Sequence, residues 1–229
     1  MKIAVIPARG GSKRIPNKNI KPFLGKPIIT YPIDSALASR QFESVIVSTD
    51  CERIAEIARD AGAEVPFTRP PELADDLTGT TPVVGHAINW FEQNVSDIEG
   101  VCCIYPTAVF VSPNMVTEGW RRLLASNSDF LMTVAEFEFP IQRALNINEN
   151  GCLVASEPDN FHKRSQDLAP TFHDAGQMYW GRGQAFRGLS LNLNSIPMIL
   201  PRWNAQDIDT LEDWEMAEKL FSISEPWHT

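Results

Sequence analysis

The N-terminal stretch Ile3-Ala-Val-Ile-Pro-Ala-Arg-Gly-Gly-Ser-Lys-Arg-Ile-Pro-Asn-Lys-Asn19 joins an apolar segment directly to a loop of glycine and basic residues. Its first four residues are apolar and are followed by Pro7, which predicts a short buried β-strand. In open α/β folds, ligands bind beyond the carboxyl ends of the strands. The loop after this strand is therefore a candidate ligand site.

This loop has the composition of an anion-binding site. Two glycines allow the backbone to approach an anion and direct N–H groups toward it, a hydroxyl and an amide add hydrogen bonds, and three side chains add positive charge. These residues are Gly10, Gly11, Ser12, Asn19, Arg9, Lys13 and Lys18. The set suits a triphosphate, whereas the lack of GxxxxGK[ST] and GxGxxG disfavours a P-loop kinase and a Rossmann dehydrogenase. The alternative is a glycine turn with surface lysines.

Apolar runs alternate with longer amphipathic segments, which predicts βαβ units, a mainly parallel sheet and the α/β class. The predicted strands cover residues 3–6, 44–49, 63–67, 100–105 and 195–200, and the predicted helices cover 27–39, 51–61, 80–93, 113–125 and 210–221. Between residues 129 and 182 the pattern changes to short β-like pieces separated by polar loops. We expect residues 1–229 to form one domain, in which this inserted segment is a lid, a dimer interface or both.

The charge distribution indicates a small anionic ligand. The net charge is −9, which argues against nucleic-acid binding because phosphate backbones repel such a protein. Seven basic residues nevertheless precede the first acidic residue, Asp34, whereas the rest of the chain has 13 basic and 29 acidic residues. A small cationic zone on an acidic protein favours an anionic small molecule over a polyanion. A solvated basic face is the alternative.

The cysteines and the apolar segments indicate a cytoplasmic protein. Cys51, Cys102, Cys103 and Cys152 form no CxxC pair, and we expect them to be small buried apolar residues with unpaired thiols in a reducing compartment. The N-terminal apolar run is too short for a signal peptide, and no segment is long enough to span a bilayer. We therefore expect no membrane association.

The motifs together resemble one enzyme family. Arg9-x-x-Ser12-Lys13 followed by Lys18-Asn19 is similar to the signature of the CMP-sialic acid synthetases (acylneuraminate cytidylyltransferases), which have a Rossmann-like nucleotidyltransferase fold. The resemblance extends over essentially the whole chain. It includes Ser48-Thr49-Asp50, Arg69-Pro70 with Leu73 and Asp76, Pro106-Thr107, and Gln206-Asp-Ile-Asp-Thr210.

An acidic pair, Asp207 and Asp209, lies between a predicted strand and a predicted helix. Alternating residues of an extended segment face the same side, so both carboxylates can face one cation. Mg²⁺ is typically held by one or two carboxylates together with phosphate oxygens and water. The alternative is that Asp209 or Thr210 caps the helix. The resemblance implies the first interpretation, in which both carboxylates bind catalytic magnesium.

The resemblance also implies which residues contact each substrate. Arg69, Asp76 and Thr80 match positions that line the cytidine pocket. Tyr105 stands where the sialic acid enzymes typically have a glutamine. Together with Tyr105, stretches 139–143, 163–167 and 173–180 make the sequence resemble the pseudaminic acid subgroup. Arg164 matches an arginine expected to pair with the sugar carboxylate. The other sugar-binding candidates, for which contacts within the fold or a dimer are the alternative, are Gln142, Arg143, Gln177 and Tyr179.

The implied reaction is the transfer of CMP from CTP to a nine-carbon acidic sugar, for which pseudaminic acid is the expected substrate. The anomeric hydroxyl attacks the α-phosphorus and pyrophosphate leaves, while Arg9, Lys13 and Lys18 hold the triphosphate beside magnesium. We expect a homodimer. Two alternatives remain: a cytidylyltransferase for sialic or legionaminic acid, and a catalytically silent nucleotide-binding module.

Overall fold

The computed structural model describes residues 1–183, 185–187 and 194–224. These residues form ten strands and six α-helices. The strands are β1 Lys2–Pro7, β2 Pro22–Phe23, β3 Lys26–Pro27, β4 Ser44–Ser48, β5 Gly100–Ile104, β6 Phe130–Glu136, β7 Leu145–Ile147, β8 Leu153–Ala155, β9 Phe172–Arg182 and β10 Ser195–Ile199. The helices are α1 Thr30–Ser39, α2 Glu52–Asp60, α3 Thr80–Asn94, α4 Pro113–Leu124, α5 Pro158–Phe161 and α6 Leu211–Ile223.

Six strands form the central sheet, in the order β10-β6-β9-β5-β1-β4. Strand β1 is parallel to both β4 and β5, and β10 is parallel to β6. Strand β9 is antiparallel to its two neighbours, β5 and β6, so it alone runs against the other five. The predicted α/β class with a mainly parallel sheet is confirmed.

Helices cover both faces of this sheet because the strands are apolar on both sides. Along β1, Ala4 and Ile6 join the core cluster that contains side chains of α1, α2 and α4. The alternate residues Ile3 and Val5 join a second cluster with α3. All four side chains are completely buried. The first strand of the chain is therefore buried on both faces of the sheet, as its sequence predicts.

A third apolar cluster determines where the N-terminal loop lies. Ile15 of that loop packs in one cluster with Ile208, between the two acidic residues, and with Trp214 of α6. Ile15 is 1% exposed and Ile208 is 0% exposed. Two segments that are far apart in the sequence are therefore held side by side by apolar burial.

The two adjacent cysteines lie on β5, opposite β1. Cys102 pairs in register with Ala4, and Cys103 with Val5. Burial raises the pKa of both thiols. They serve as small buried apolar side chains, as the sequence predicts. The same prediction is wrong for Cys152, which is exposed, and Cys51 is only partly buried.

The inserted segment is shorter than the predicted range 129–182. Its flanks, β6 and β9, are strands of the central sheet, and only residues 137–171 lie outside it. The sequence pattern gave bounds that were too wide, because β9 is antiparallel and its pairing with β6 shifts register between Met132 and Val134. The segment outside the sheet contains the short hairpin β7–β8 and the one-turn helix α5.

Two smaller predictions were wrong. The predicted strand 63–67 forms only isolated bridges, from Ile46 to Glu64 and from Thr49 to Thr68. The helix predicted from Pro27 begins at Thr30, because Lys26–Pro27 pairs with Pro22–Phe23 in a tight hairpin. Among the described residues, no helix has the length and apolar character that crossing a membrane requires.

Candidate active site

A cleft of about 420 Å³ opens where β1 and β5 end. It brings together ten of the residues predicted from the sequence: Arg9, Ser12, Lys13, Lys18, Asn19, Arg69, Thr80, Tyr105, Asp207 and Asp209. Eight further lining residues were not predicted as site residues: Pro7, Arg14, Ile15, Thr78, Gly79, Val83, Pro106 and Thr107. The position agrees with the general rule for open α/β sheets.

Ion pairs hold two basic side chains of the loop. Asp76 forms ion pairs with Arg9 and with Lys13. Hydrogen bonds from Lys13 and then Arg9 hold the pKa of this carboxyl below its usual value. Asp76 does not itself line the cleft; it neutralises two of the cations that do. A bound polyphosphate would compete with Asp76 for these side chains.

The two glycines of the loop have different surroundings. The N–H of Gly10 donates to Oδ1 of Asp50 at 2.8 Å, and a Cβ at this position would lie 2.9 Å from the Cβ of Cys51. Gly11 has open space around it. The predicted use of both glycines as anion donors therefore does not hold for Gly10 in this conformation. Asp50 was missed as its partner, although it follows β4 as Arg9 follows β1.

Lys18 and Asn19 connect the loop to the rest of the site. Lys18 Nζ donates to the carbonyl of Ile208 at 2.7 Å and to Oδ1 of Asp209 at 3.0 Å. Asn19 is 4% exposed, and its amide donates to the carbonyl of Arg9 at 2.9 Å. Lys18 thus bridges the loop and the acidic pair, while Asn19 fixes the backbone that carries Arg9.

The acidic pair faces the cleft, and of the two residues considered as the helix cap, Thr210 supplies it. Thr210 Oγ1 accepts from the N–H of Asp213, whose carboxylate accepts from the N–H of Thr210, forming a capping box. Asp207 and Asp209 are thereby left to line the cleft. Burial raises the pKa of Asp207, and the negative charge of Asp209 raises it further. Arg14 pairs with Oδ2 of Asp209 at 2.7 Å.

Arg69 places a buried positive charge in the wall of the cleft. It is 4% exposed and donates through Nε to Oγ of Ser48 at 3.2 Å, and through Nη2 to the carbonyl of the same residue. Burial lowers its pKa to about 10. Within the described part of the chain, no carboxylate forms an ion pair with it. A buried cation without such a partner favours an anionic ligand.

Three hydroxyls and a carboxylate lie beside the cleft. Thr80 Oγ1 is 2.8 Å from the hydroxyl of Tyr105, whose ring lies against that of Tyr179 with centroids 5.2 Å apart. The hydroxyl of Tyr179 donates to Oδ1 of Asp174 at 2.8 Å. Tyr179 is 1% exposed, so it supports Tyr105 from behind. Asp174 was not predicted as a site residue, because the sequence alone does not show that it lies beside Tyr179.

The remaining predicted sugar residues do not line this cleft. Gln177 is completely buried, and its amide donates to the carbonyl of Gln206 at 2.9 Å, so it supports the acidic segment. Gln142 donates to the carbonyl of Ala169, and Arg143 to Oγ of Ser165. Both of these lie with the exposed Arg164 in the segment outside the sheet. The prediction that Gln177 contacts the sugar directly is therefore wrong for this conformation.

Comparisons with known proteins identify the family of this chain. The family model for cytidylyltransferases matches residues 3–220. A pseudaminic acid cytidylyltransferase of Campylobacter jejuni is 40% identical over 224 residues, which cover 97% of each chain. A CMP-N,N'-diacetyllegionaminic acid synthase of Legionella pneumophila is 31% identical, also over 97% of each chain.

A solved structure has the same fold. A CMP:2-keto-3-deoxy-manno-octonic acid synthetase complexed with CTP superposes with a TM-score of 0.68 over 96% of this chain and 98% of its own. Its sequence identity is 17%, so this likeness concerns the fold alone. The family match and the two relatives show more than the fold, because they also identify the family. This chain is a nucleotidyltransferase and belongs to the cytidylyltransferase family, which confirms the resemblance inferred from its motifs.

Proposed function

We propose that this protein transfers CMP from CTP to the anomeric hydroxyl of a nine-carbon ulosonic acid, and that the sugar is pseudaminic acid. One observation carries the proposal: a single cleft combines the basic loop, the buried Arg69 and the acidic pair. The pseudaminic acid cytidylyltransferase of Campylobacter jejuni, which is 40% identical to this chain, supports the choice of sugar.

The arrangement suits an in-line displacement at the α-phosphorus. Arg9, Lys13 and Lys18 offer positive charge to the triphosphate, and Ser12 and Arg69 offer further donors. The sugar oxygen forms a bond to the α-phosphorus, and the bond from that phosphorus to the β-phosphate oxygen breaks. Pyrophosphate leaves with the electron pair, and the sugar hydroxyl releases its proton. Such chemistry requires orientation and charge neutralisation more than a covalent nucleophile.

The acidic pair fits magnesium. The raised pKa of Asp207, caused by burial and by the charge of Asp209, means that a bound cation would relieve an unfavourable interaction. Among the described residues, no group of three or more His, Cys, Asp or Glu side chains is arranged to hold a metal. Two carboxylates suffice for Mg²⁺ when phosphate oxygens complete its coordination. We propose that Asp207 and Asp209 hold the ion, which supplies charge stabilisation at the phosphates.

We also propose a homodimer in the cytoplasm. The hairpin β7–β8 places Ile147 opposite Leu153, and these side chains are 74% and 66% exposed. Burial of such apolar pairs against a second copy would stabilise a dimer. The four cysteines, all within the described residues, are unpaired, which suits a reducing compartment.

Pyrophosphate release tests the function. Purified protein with CTP and Mg²⁺ is supplied in turn with pseudaminic, legionaminic and sialic acid, and pyrophosphate is followed by a coupled assay. We expect the fastest release with pseudaminic acid. The relative named for legionaminic acid makes that sugar the second candidate. No release with any of the three would favour a catalytically silent module and contradict the proposal.

A further inference from the structure

Four basic side chains of the N-terminal loop form ion pairs with carboxylates: Arg9, Lys13, Arg14 and Lys18. Asp209 accepts two of them, and it belongs to the acidic pair proposed for magnesium. Asp76 accepts the other two, Arg9 on Oδ1 and Lys13 on Oδ2. Both partners of Asp76 line the cleft, whereas Asp76 itself does not. Any effect of Asp76 on a bound phosphate is therefore exerted through these two cations.

A tight turn places the Asp76 carboxylate against Arg9. Oδ1 of the preceding residue, Asp75, accepts from the N–H of Leu77 at 3.0 Å and from the N–H of Thr78 at 2.6 Å. Hydrogen bonds from Thr78 hold the pKa of the Asp75 carboxyl below its usual value, so it is ionised at neutral pH. Arg9 Nη1 also donates to the carbonyl of Asp75 at 3.1 Å. The turn thus offers Arg9 a backbone acceptor beside the carboxylate.

The two ion pairs of Asp76 can be displaced by a stronger anion. The side chains of Lys13, Asp76 and Arg9 are 80%, 40% and 34% exposed. Exposed ion pairs contribute little to stability, because water screens the charges and ordering two long side chains costs entropy. Pyrophosphate carries more negative charge than one carboxylate, and its oxygens accept charge-assisted hydrogen bonds from both cations. Asp76 and pyrophosphate therefore compete for the same two side chains.

We propose that Asp76 is a positioning residue that competes with pyrophosphate for Arg9 and Lys13, and so weakens the binding of the leaving group. The inference rests on CTP as the substrate of the proposed function. After transfer, the α-phosphate belongs to the CMP-sugar, and the other two phosphates remain beside the basic loop as pyrophosphate. Two unopposed cations would retain this product. A carboxylate that returns to them favours its release, while CTP keeps the further contacts of its base, ribose and α-phosphate.

Pyrophosphate binding tests this without the sugar. Calorimetry with Mg²⁺ gives the Kd of inorganic pyrophosphate and of CMP for the wild type and Asp76→Asn, which keeps the shape of the side chain and removes its charge. We expect the Kd of pyrophosphate to fall about tenfold, because two exposed ion pairs no longer compete. The Kd of CMP should not change, because CMP lacks the two phosphates that leave. Asp34→Asn is the matched control: it removes one negative charge that pairs with Lys26 outside the cleft. It should keep both wild-type values.

The gain in binding should depend on Lys13. In a Lys13→Met background one of the two contested cations is gone, so Asp76→Asn should tighten pyrophosphate binding only about threefold. In the protein with Lys13, the inhibition constant of pyrophosphate during CMP transfer should fall about tenfold in Asp76→Asn. A purely structural role of Asp76 predicts the opposite, since a disturbed loop binds pyrophosphate more weakly.

The outcomes separate this inference from the proposed function. Unchanged or weaker pyrophosphate binding in Asp76→Asn, or an equal gain for CMP, would overturn the competition and leave CMP transfer untouched. Tighter pyrophosphate binding in a protein that releases no pyrophosphate with any sugar would contradict the proposed function and leave the competition standing. Thermal unfolding checks that each variant folds. If Asp76→Asn does not fold, Asp76→Ser removes the same charge and carries the test.

Discussion

Lys18 and Asp209 meet across the cleft at 3.0 Å, although 191 positions separate them in the sequence. The lysine side chain is only 19% exposed, and it also donates to the carbonyl of Ile208. Buried Ile15 and Ile208 hold the two segments together beneath this ion pair. The cationic loop and the acidic pair are therefore one structural unit, in which the charges of Arg14 and Lys18 partly balance that of Asp209.

Replacement of Lys18 by methionine should weaken the use of CTP. The variant keeps the length of the side chain but removes a charge that faces the phosphates. We expect kcat/KM for CTP to fall about a hundredfold. Lys26→Met is the matched control, because Lys26 pairs with Asp34 on the surface. Wild-type kcat and KM in Lys18→Met would mean that the triphosphate lies elsewhere.

Asp207→Asn and Asp209→Asn should each reduce turnover by more than about a hundredfold at saturating Mg²⁺, since an amide is a poor ligand for a hard cation. Binding of Mn²⁺ alone, followed by electron paramagnetic resonance, should weaken in both. Asp34→Asn removes a surface carboxylate and should retain both properties. Near-normal turnover in the two cleft variants would contradict the metal assignment.

Asp213→Ala should destabilise the protein in a pH-dependent way. Burial alone would raise the pKa of Asp213, but the hydrogen bonds from Thr210 and Asp209 lower it overall. A carboxylate with a lowered folded-state pKa adds stability above its unfolded pKa, and this is lost as the pH falls through the folded value. We expect a loss of about 1 kcal/mol at pH 7 that shrinks toward pH 3 in denaturant titrations. Glu212→Ala leaves the cap intact, and an equal loss there would contradict this assignment.

Charge on the β7–β8 hairpin should break the proposed dimer. Ile147→Lys places an ammonium group beside Leu153, in the apolar surface that the second copy would cover. Light scattering should give a dimer mass for the wild type and a monomer mass for the variant. Asn150→Lys, at the exposed turn of the same hairpin, should stay dimeric. A dimeric Ile147→Lys would place the interface elsewhere.

Pseudaminic acid should be preferred to sialic acid. Tyr105 offers an aromatic ring to the cleft, and pseudaminic acid has two acylamino groups and a terminal methyl in place of a glycerol tail. Each hydroxyl buried without a partner costs about 1–3 kcal/mol, so we expect about ten- to hundredfold higher kcat/KM for pseudaminic acid. Equal or greater efficiency with sialic acid would overturn the choice of sugar and leave cytidylyl transfer standing.

The features of the fold and site that depend on local sequence patterns could be predicted from the sequence. Ile3–Ile6 identified a strand that is buried on both faces, because all four residues are apolar, and Asp207 and Asp209 were identified by their spacing and by resemblance. Contacts between segments that are far apart in the sequence could not be predicted in the same way. The antiparallel β9 looks like part of an insertion until its partners are known, and the burial of Gln177 and Tyr179 depends on neighbours from β5 and the acidic segment. Asp174 joins the surroundings of the cleft through a hydrogen bond from the Tyr179 hydroxyl, which could not be predicted from the sequence.

The central claim is that this protein joins CMP to a nine-carbon acidic sugar. Phosphorus NMR of one reaction with CTP, Mg²⁺ and pseudaminic acid tests it most directly. We predict that the three CTP signals decay while one phosphodiester signal and free pyrophosphate grow in equal amounts. Unchanged CTP, or its conversion to CDP and phosphate without a sugar-linked CMP, would contradict the account.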